Sequence, residues 1–139
     1  MVEGTPCVDG GVSDSIPLAR AVRDGNRRNV VVLTRNAGYR KPPPRLRVLS
    51  RVLLARHPAV HAAMLRRPAV YNASLDLVAS MVRAGSAFVL RPARPLVVGR
   101  MERDLARLEA LYRQGYDETT ARMAELETWL GSRGSSLQA

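Results

Sequence analysis

The chain has a single cysteine, Cys7, in 139 residues. That excludes an internal disulfide and leaves no cysteine cluster to hold a metal. Aromatic residues make up 4% of the sequence against 46% for apolar residues, so its core must be mainly aliphatic. No segment approaches the ~20 consecutive apolar residues needed to cross a bilayer. The opening residues carry an acid, Glu3, where a secretory signal would carry basic residues leading into an apolar stretch. A reduced, cytoplasmic setting is expected. At this length the chain can form one ordinary domain with its own core.

Acidic residues are absent between Asp24 and Asp76, while that stretch holds eleven of the 22 basic residues. The net charge of +10 is therefore concentrated in the middle of the chain. Lysine occurs only at Lys41, and so general an arginine bias reflects coding composition better than bidentate phosphate recognition. A field of this kind attracts anionic lipid headgroups, at about 1 kcal/mol per basic residue close to the surface. Arg40, Lys41, Arg45, Arg47 and Arg51 are the candidate contacts for a peripheral membrane attachment. A basic helical module over Arg40 to Arg67, docking on anionic membrane or nucleic acid, is what charge alone supports. No recognised nucleic-acid motif is present and aromatic residues for base stacking are few, so nucleic acid is not expected as a partner. The plainer alternative is a solvated face balanced by acidic surface elsewhere.

Hydrophobic patterning suggests an α/β chain. Residues 5–9 form a short extended segment, and Ile16 to Asp24 has helical character, with Pro17 in the first turn and Gly25 as its stop. Asn29 to Leu33 is a β-branched run of the type buried on both faces of a parallel sheet. Strand, helix and strand in this order predict a βαβ unit, which needs further strands to complete its sheet. Residues 38–44 contain three consecutive prolines and form a stiff linker. Beyond it, Leu46, Leu49, Val52 and Leu53 recur at helical spacing until His57-Pro58. Pro68 divides the next helical stretch into Ala59 to Arg67 and Tyr71 to Ala84, with Gly85 as a stop. A short strand is expected at 87–91. Two amphipathic helices follow, Glu102 to Gln114 and Asp117 to Leu130, separated at Gly115; residues 132–139 are expected to be disordered.

The strongest local signal is Val8-Asp9-Gly10-Gly11-Val12-Ser13-Asp14-Ser15-Ile16-Pro17. It places one carboxylate at the end of an extended segment, on a turn where two glycines allow positive φ and close backbone approach. Such a turn presents a catalytic base well, but the same residues also make an ordinary turn with Asp9 or Asp14 capping the helix.

The segment from Glu3 to Leu18, followed by Asn29 to Arg35, closely resembles the bacterial patatin-like phospholipases. The likeness continues through Arg66-Arg67, Tyr71-Asn72, Ala87 to Pro92 and Leu108 to Tyr112, and so covers roughly residues 3 to 118. It implies a three-layer α/β fold and a serine esterase acting on lipid esters through a Ser-Asp dyad, without metal or organic cofactor. Asp9 is then the general base and Gly10 and Gly11 hold its turn. The nucleophile elbow Gly-x-Ser-x-Gly and the glycine-rich oxyanion loop of that family are absent here, and in the family both precede the Asp motif. The chain is accordingly expected to be a carboxy-terminal portion, inactive alone. On this reading residues 1–37 end the catalytic core, 38–44 are linker and 45–131 form a helical region.

Other groups carry little chemistry. His57 and His61 have the spacing of two helical metal ligands, but Pro58 interrupts them and no third ligand is nearby, so both are expected to be structural. The sequence identifies no His or helix amino terminus to activate the Cys7 thiol, so Cys7 is expected to be a small buried side chain. Asp14 is expected to cap the following helix, with Ser13 and Ser15 as turn hydroxyls. Trp129 and Tyr116 are expected in the packing.

Overall fold

The computed structural model describes residues 4, 7–44, 51–52, 54–99 and 101–132. A 3₁₀ turn at Gly10–Val12 leads to helix α1 (Leu18–Arg23), strand β1 (Asn29–Val32) and a long helix α2 (Pro58–Arg83). Strand β2 (Ala87–Leu90) follows, then helices α3 (Leu105–Thr120) and α4 (Met123–Gly131). The architecture is mixed α/β, with one two-stranded sheet. Two compact units divide it. The first comprises Met1–Asn29 and Arg40–Ser86, the second Val30–Tyr39 and Ala87–Ala139.

In the first unit the 3₁₀ turn and α1 pack against α2. Ile16, Leu18, Tyr71 and Val78 are its buried apolar residues. α1 ends as expected, with Gly25 in the left-handed region at φ 92°. α2 begins at Pro58, where a missing amide is harmless, and His57 is the residue before it. The expected division at Pro68 does not occur: the helix runs through it from Pro58 to Arg83. Proline there removes one i→i−4 bond and costs about 3 kcal/mol in an isolated helix. Burial of Tyr71 and Val78 in the next turns offsets that cost. Gly85, at φ 67°, ends the helix as anticipated. Of the helix expected before His57, Arg51 and Val52 are helical, while Leu46, Leu49 and Leu53 lie outside the described residues.

The sheet departs most from expectation. Residues 7–9 form no strand, and residues 5–6 lie outside the described residues. β1 instead pairs with β2. The amide of Asn29 donates to the Ser86 carbonyl at 3.1 Å and that of Leu33 to the Leu90 carbonyl at 2.8 Å. The same offset at both ends makes the register parallel. The βαβ connection is therefore residues 33–86, with α2 within it. β2 is buried at Ala87, Phe88 and Val89, but on β1 only Val31 is buried and Val32 is 72% exposed. Among the described residues β1 pairs with β2 alone, and with Val30 and Val32 exposed it is not a strand covered on both faces.

In the second unit Phe88 packs against Trp129 with ring centroids 5.8 Å apart, and Leu126 of α4 is buried. Tyr116 lies outside this packing, 61% exposed and stacked on Tyr112. α3 starts at Leu105, later than expected, because Asp104 caps it by accepting from the amides of Ala106 and Arg107. Glu102 in turn accepts from the Asp104 and Arg103 amides, which hold its carboxyl below the usual range. The break between α3 and α4 falls at residues 121–122, not at Gly115, which stays helical. Ser132 caps the end of α4, and residues 133–139 lie outside the described residues. Among the described residues no helix is long and apolar enough to cross a membrane.

Two substitutions test this account of α2, with urea unfolding as the measurement. Pro68→Ala restores a backbone donor and is expected to raise stability by roughly 1–3 kcal/mol. Val78→Ala, at a side chain only 1% exposed, is expected to lower it by about 1.5–3 kcal/mol.

Candidate functional site

The Asp-Gly-Gly segment forms the 3₁₀ turn of the first unit, with Asp9 as its cap. The Gly11 amide donates to Asp9 Oδ1 at 2.7 Å, while the Val12 amide donates to the Asp9 carbonyl at 2.9 Å. A carboxylate that bonds its own backbone two residues on competes directly with extended pairing. This accounts for the loss of the expected strand. Asp9 is exposed, and its Oδ2 has no partner among the described residues.

Neither glycine uses the positive φ that the sequence suggested. The requirement at Gly11 is space. A Cβ there would lie 3.2 Å from Asp9 Oδ1 and 3.9 Å from Arg67 Nη2, crowding the carboxylate it holds. A Cβ at Gly10 would meet nothing within 4 Å.

Ser13 and Ser15 stabilise the turn. Ser13 Oγ donates to the Gly10 carbonyl at 3.2 Å and Ser15 Oγ to the Gly11 carbonyl at 2.7 Å. Arg67 of α2 donates from Nε to Ser15 Oγ at 3.5 Å, which brings a guanidinium beside the acidic turn. Asp14 does not cap α1, whose first flanking residue is Pro17, without a side-chain cap. Cys7 is exposed, contrary to expectation, because the extended segment that was to bury it has no neighbouring strand.

The proline-rich linker is held to α2 by Asn72, which the sequence marked only through the family resemblance and without a role in the fold. Asn72 accepts from the Lys41 amide at 2.9 Å and donates to the Lys41 carbonyl at 3.1 Å, as a neighbouring strand would. Arg40 donates to the Asn72 carbonyl and to Asp76, and the Lys41 ammonium lies 5.0 Å from the centre of the Tyr71 ring. Two of the five candidate anion contacts are thus engaged within the unit. Arg51 is exposed, and Arg45 and Arg47 lie outside the described residues. No local pattern marks Asn72, since its partner is more than thirty residues away.

The hydrogen bond from Arg40 holds the Asp76 carboxyl below its ordinary value, and Asp76 holds the guanidinium above its own. A depressed carboxyl contributes stability above the ordinary carboxylate range and loses it as pH falls through the folded value. Both groups are exposed, so solvent screens this contribution.

His57 precedes α2 and His61 lies in its first turn. No group of three or more His, Cys, Asp or Glu side chains suited to a metal occurs among the described residues.

Asn72→Ala removes both bonds to Lys41 and is expected to cost about 1–2 kcal/mol in urea unfolding. Tryptic cleavage after Arg40 should accelerate in the same variant. Asp76→Asn should accelerate it less, because the ion pair it breaks is solvent-exposed. Equal effects of the two would show that the charge pair, not the amide clamp, anchors the linker.

Residues 57–131 match a family described as a domain of unknown function, DUF6363. The match runs from the residue before α2 to the last residue of α4. The Asp-Gly-Gly turn precedes it. No match is found among curated proteins or solved structures. Since the matched residues make up more than half of the chain, the protein belongs to the DUF6363 family.

Proposed function

We propose that the chain supplies the acid half of a patatin-like lipid acyl hydrolase, with Asp9 as general base of a Ser-Asp dyad. The reading rests on the run from Val8 to Pro17 and on the resemblance it carries. The observation that favours it is the state of the Asp9 carboxylate. It is exposed, oriented through Oδ1 by the Gly11 amide, and has Oδ2 available to accept a proton.

The nucleophilic serine and the oxyanion donors would come from polypeptide outside these 139 residues. The serine hydroxyl gives its proton to Asp9 as its oxygen attacks the ester carbonyl. The alcohol then departs with that proton and leaves an acyl-serine. Water, losing a proton to Asp9, releases the acid and regenerates the serine. An exposed aspartate is a weak base for a hydroxyl. Desolvation by the serine-bearing segment, and stabilisation of the developing oxyanion, would therefore carry much of the barrier reduction. No cofactor enters this scheme. The alternative, a basic module on an anionic surface, draws less support because Arg40 and Lys41 are engaged by Asp76, Asn72 and Tyr71.

The chain alone should not hydrolyse a short p-nitrophenyl ester. Joined in frame to the polypeptide encoded upstream of Met1, it should do so, and a fluorophosphonate should label a serine outside residues 1–139. In the joined protein Asp9→Asn should lower kcat by roughly 10³–10⁴-fold. Unchanged turnover in that variant would remove Asp9 from the mechanism.

A further inference from the structure

The second unit contains a cavity of about 260 Å³ that no part of the dyad scheme uses. It lies at the carboxyl ends of both parallel strands, lined by Val32, the last residue of β1, with Leu33 and Thr34 after it, and by Leu90, the last residue of β2, with Arg91 and Pro92 after it. In open α/β sheets this is where ligands bind. Val32, Leu33, Leu90, Pro92, Leu96 and Leu111 make its wall apolar. α3 contributes one face to the lining: Leu111, Gln114, Gly115, Glu118 and Thr119 follow at helical spacing.

The polar groups on this cavity differ in what they have left to offer. Glu118 accepts from the Ala93 amide at 3.0 Å through one oxygen and from Gln114 Nε2 at 2.9 Å through the other. Arg122 donates to the Val89 carbonyl at 2.6 Å, pairs with Glu125 at 2.8 Å and lies over the Phe88 ring. Arg91 is half-buried at the strand end and has no acidic partner among the described residues. The cavity thus combines an apolar body with Arg91, a lining residue that has no acidic partner among the described residues. A half-buried charge on an apolar wall is best stabilised by an anion, and a carboxylate matches its fork.

We propose that this cavity binds an apolar monocarboxylate of medium chain length, with the alkyl body against the leucines and the carboxylate on Arg91. Its volume sits below the usual range for ligand pockets, about 300–1,000 Å³, which favours a chain such as octanoate over long acyl chains. A cationic ligand is disfavoured because the one acid on the wall already accepts at both oxygens. The site is independent of Asp9 and of any serine.

Gly115 provides a direct test. It lies on the cavity face of α3, and a Cβ there meets nothing within 4 Å. Gly115→Leu should therefore fold, gain helix stability, and fill the cavity. Titrations of the full chain by calorimetry, with octanoate and with octanol, read the outcome. Octanoate should bind with Kd on the order of 0.1 mM, and octanol at least tenfold more weakly. Arg91→Met should erase that difference, and Gly115→Leu should abolish binding of both, with circular dichroism confirming that each variant is folded. If Arg91→Met does not fold, Arg91→Lys, which keeps the charge without the fork, should retain a reduced preference for octanoate. Equal affinity for octanoate and octanol, no heat at millimolar octanoate, or octanoate binding that survives Gly115→Leu would each overturn the proposal.

Discussion

Parallel pairing of β1 with β2 is the constraint on which the rest depends. Parallel strands cannot be joined by a tight turn, so the connection must carry enough chain to return to the starting end. Here residues 33–86 do so, with the proline-rich linker and α2 among them. Closing so long a loop is entropically costly, though the cost grows only slowly with length. A two-stranded sheet is marginal by itself, and burial of Ala87, Phe88 and Val89 along β2 makes the pairing persist. One face of β1 stays open, with Val30 and Val32 exposed while Val31 between them is buried.

The same pairing sets the chemistry of the second unit. Because both strands run in one direction, their carboxyl ends meet at one place, and α3 lays a single face over it. Gly115 lies on that face without ending the helix, which leaves space where any larger residue would fill it. In the first unit a different economy operates. Asp9, Ser13 and Ser15 satisfy the backbone of a turn too short for regular structure, and Asn72 does the same for a linker that cannot form a ladder through its prolines. Side chains there replace the hydrogen bonds that strands would have made.

Local grammar was legible where it was strongest. The β-branched run at Asn29 to Val32, the segment at Ala87 to Leu90, the helix after Pro17 and the stops at Gly25 and Gly85 all stand where pattern placed them. Pattern misread Pro68 and Gly115 as boundaries. Both residues disfavour helix by amounts that their surroundings can offset; in α2 burial of Tyr71 and Val78 does so, whereas α3 runs through Gly115 with no buried residue of its own. The extended segment at 5–9 went astray for the opposite reason: a short-range bond from Asp9 competed with pairing that had no neighbour to supply it.

What sequence alone determined is the set of intrinsically local features: the acid beside two glycines, the basic middle, the aliphatic core and the helical periods. These follow from covalent geometry and nearest-neighbour spacing. Only tertiary structure decided that β1 pairs with β2, that Arg40 finds Asp76 while Arg91 finds no acid among the described residues, and that Gly115 faces open space. Those outcomes depend on groups distant in the chain being brought within a few ångströms. Hydrogen bonds and charge pairs have short range, so no local pattern can announce them.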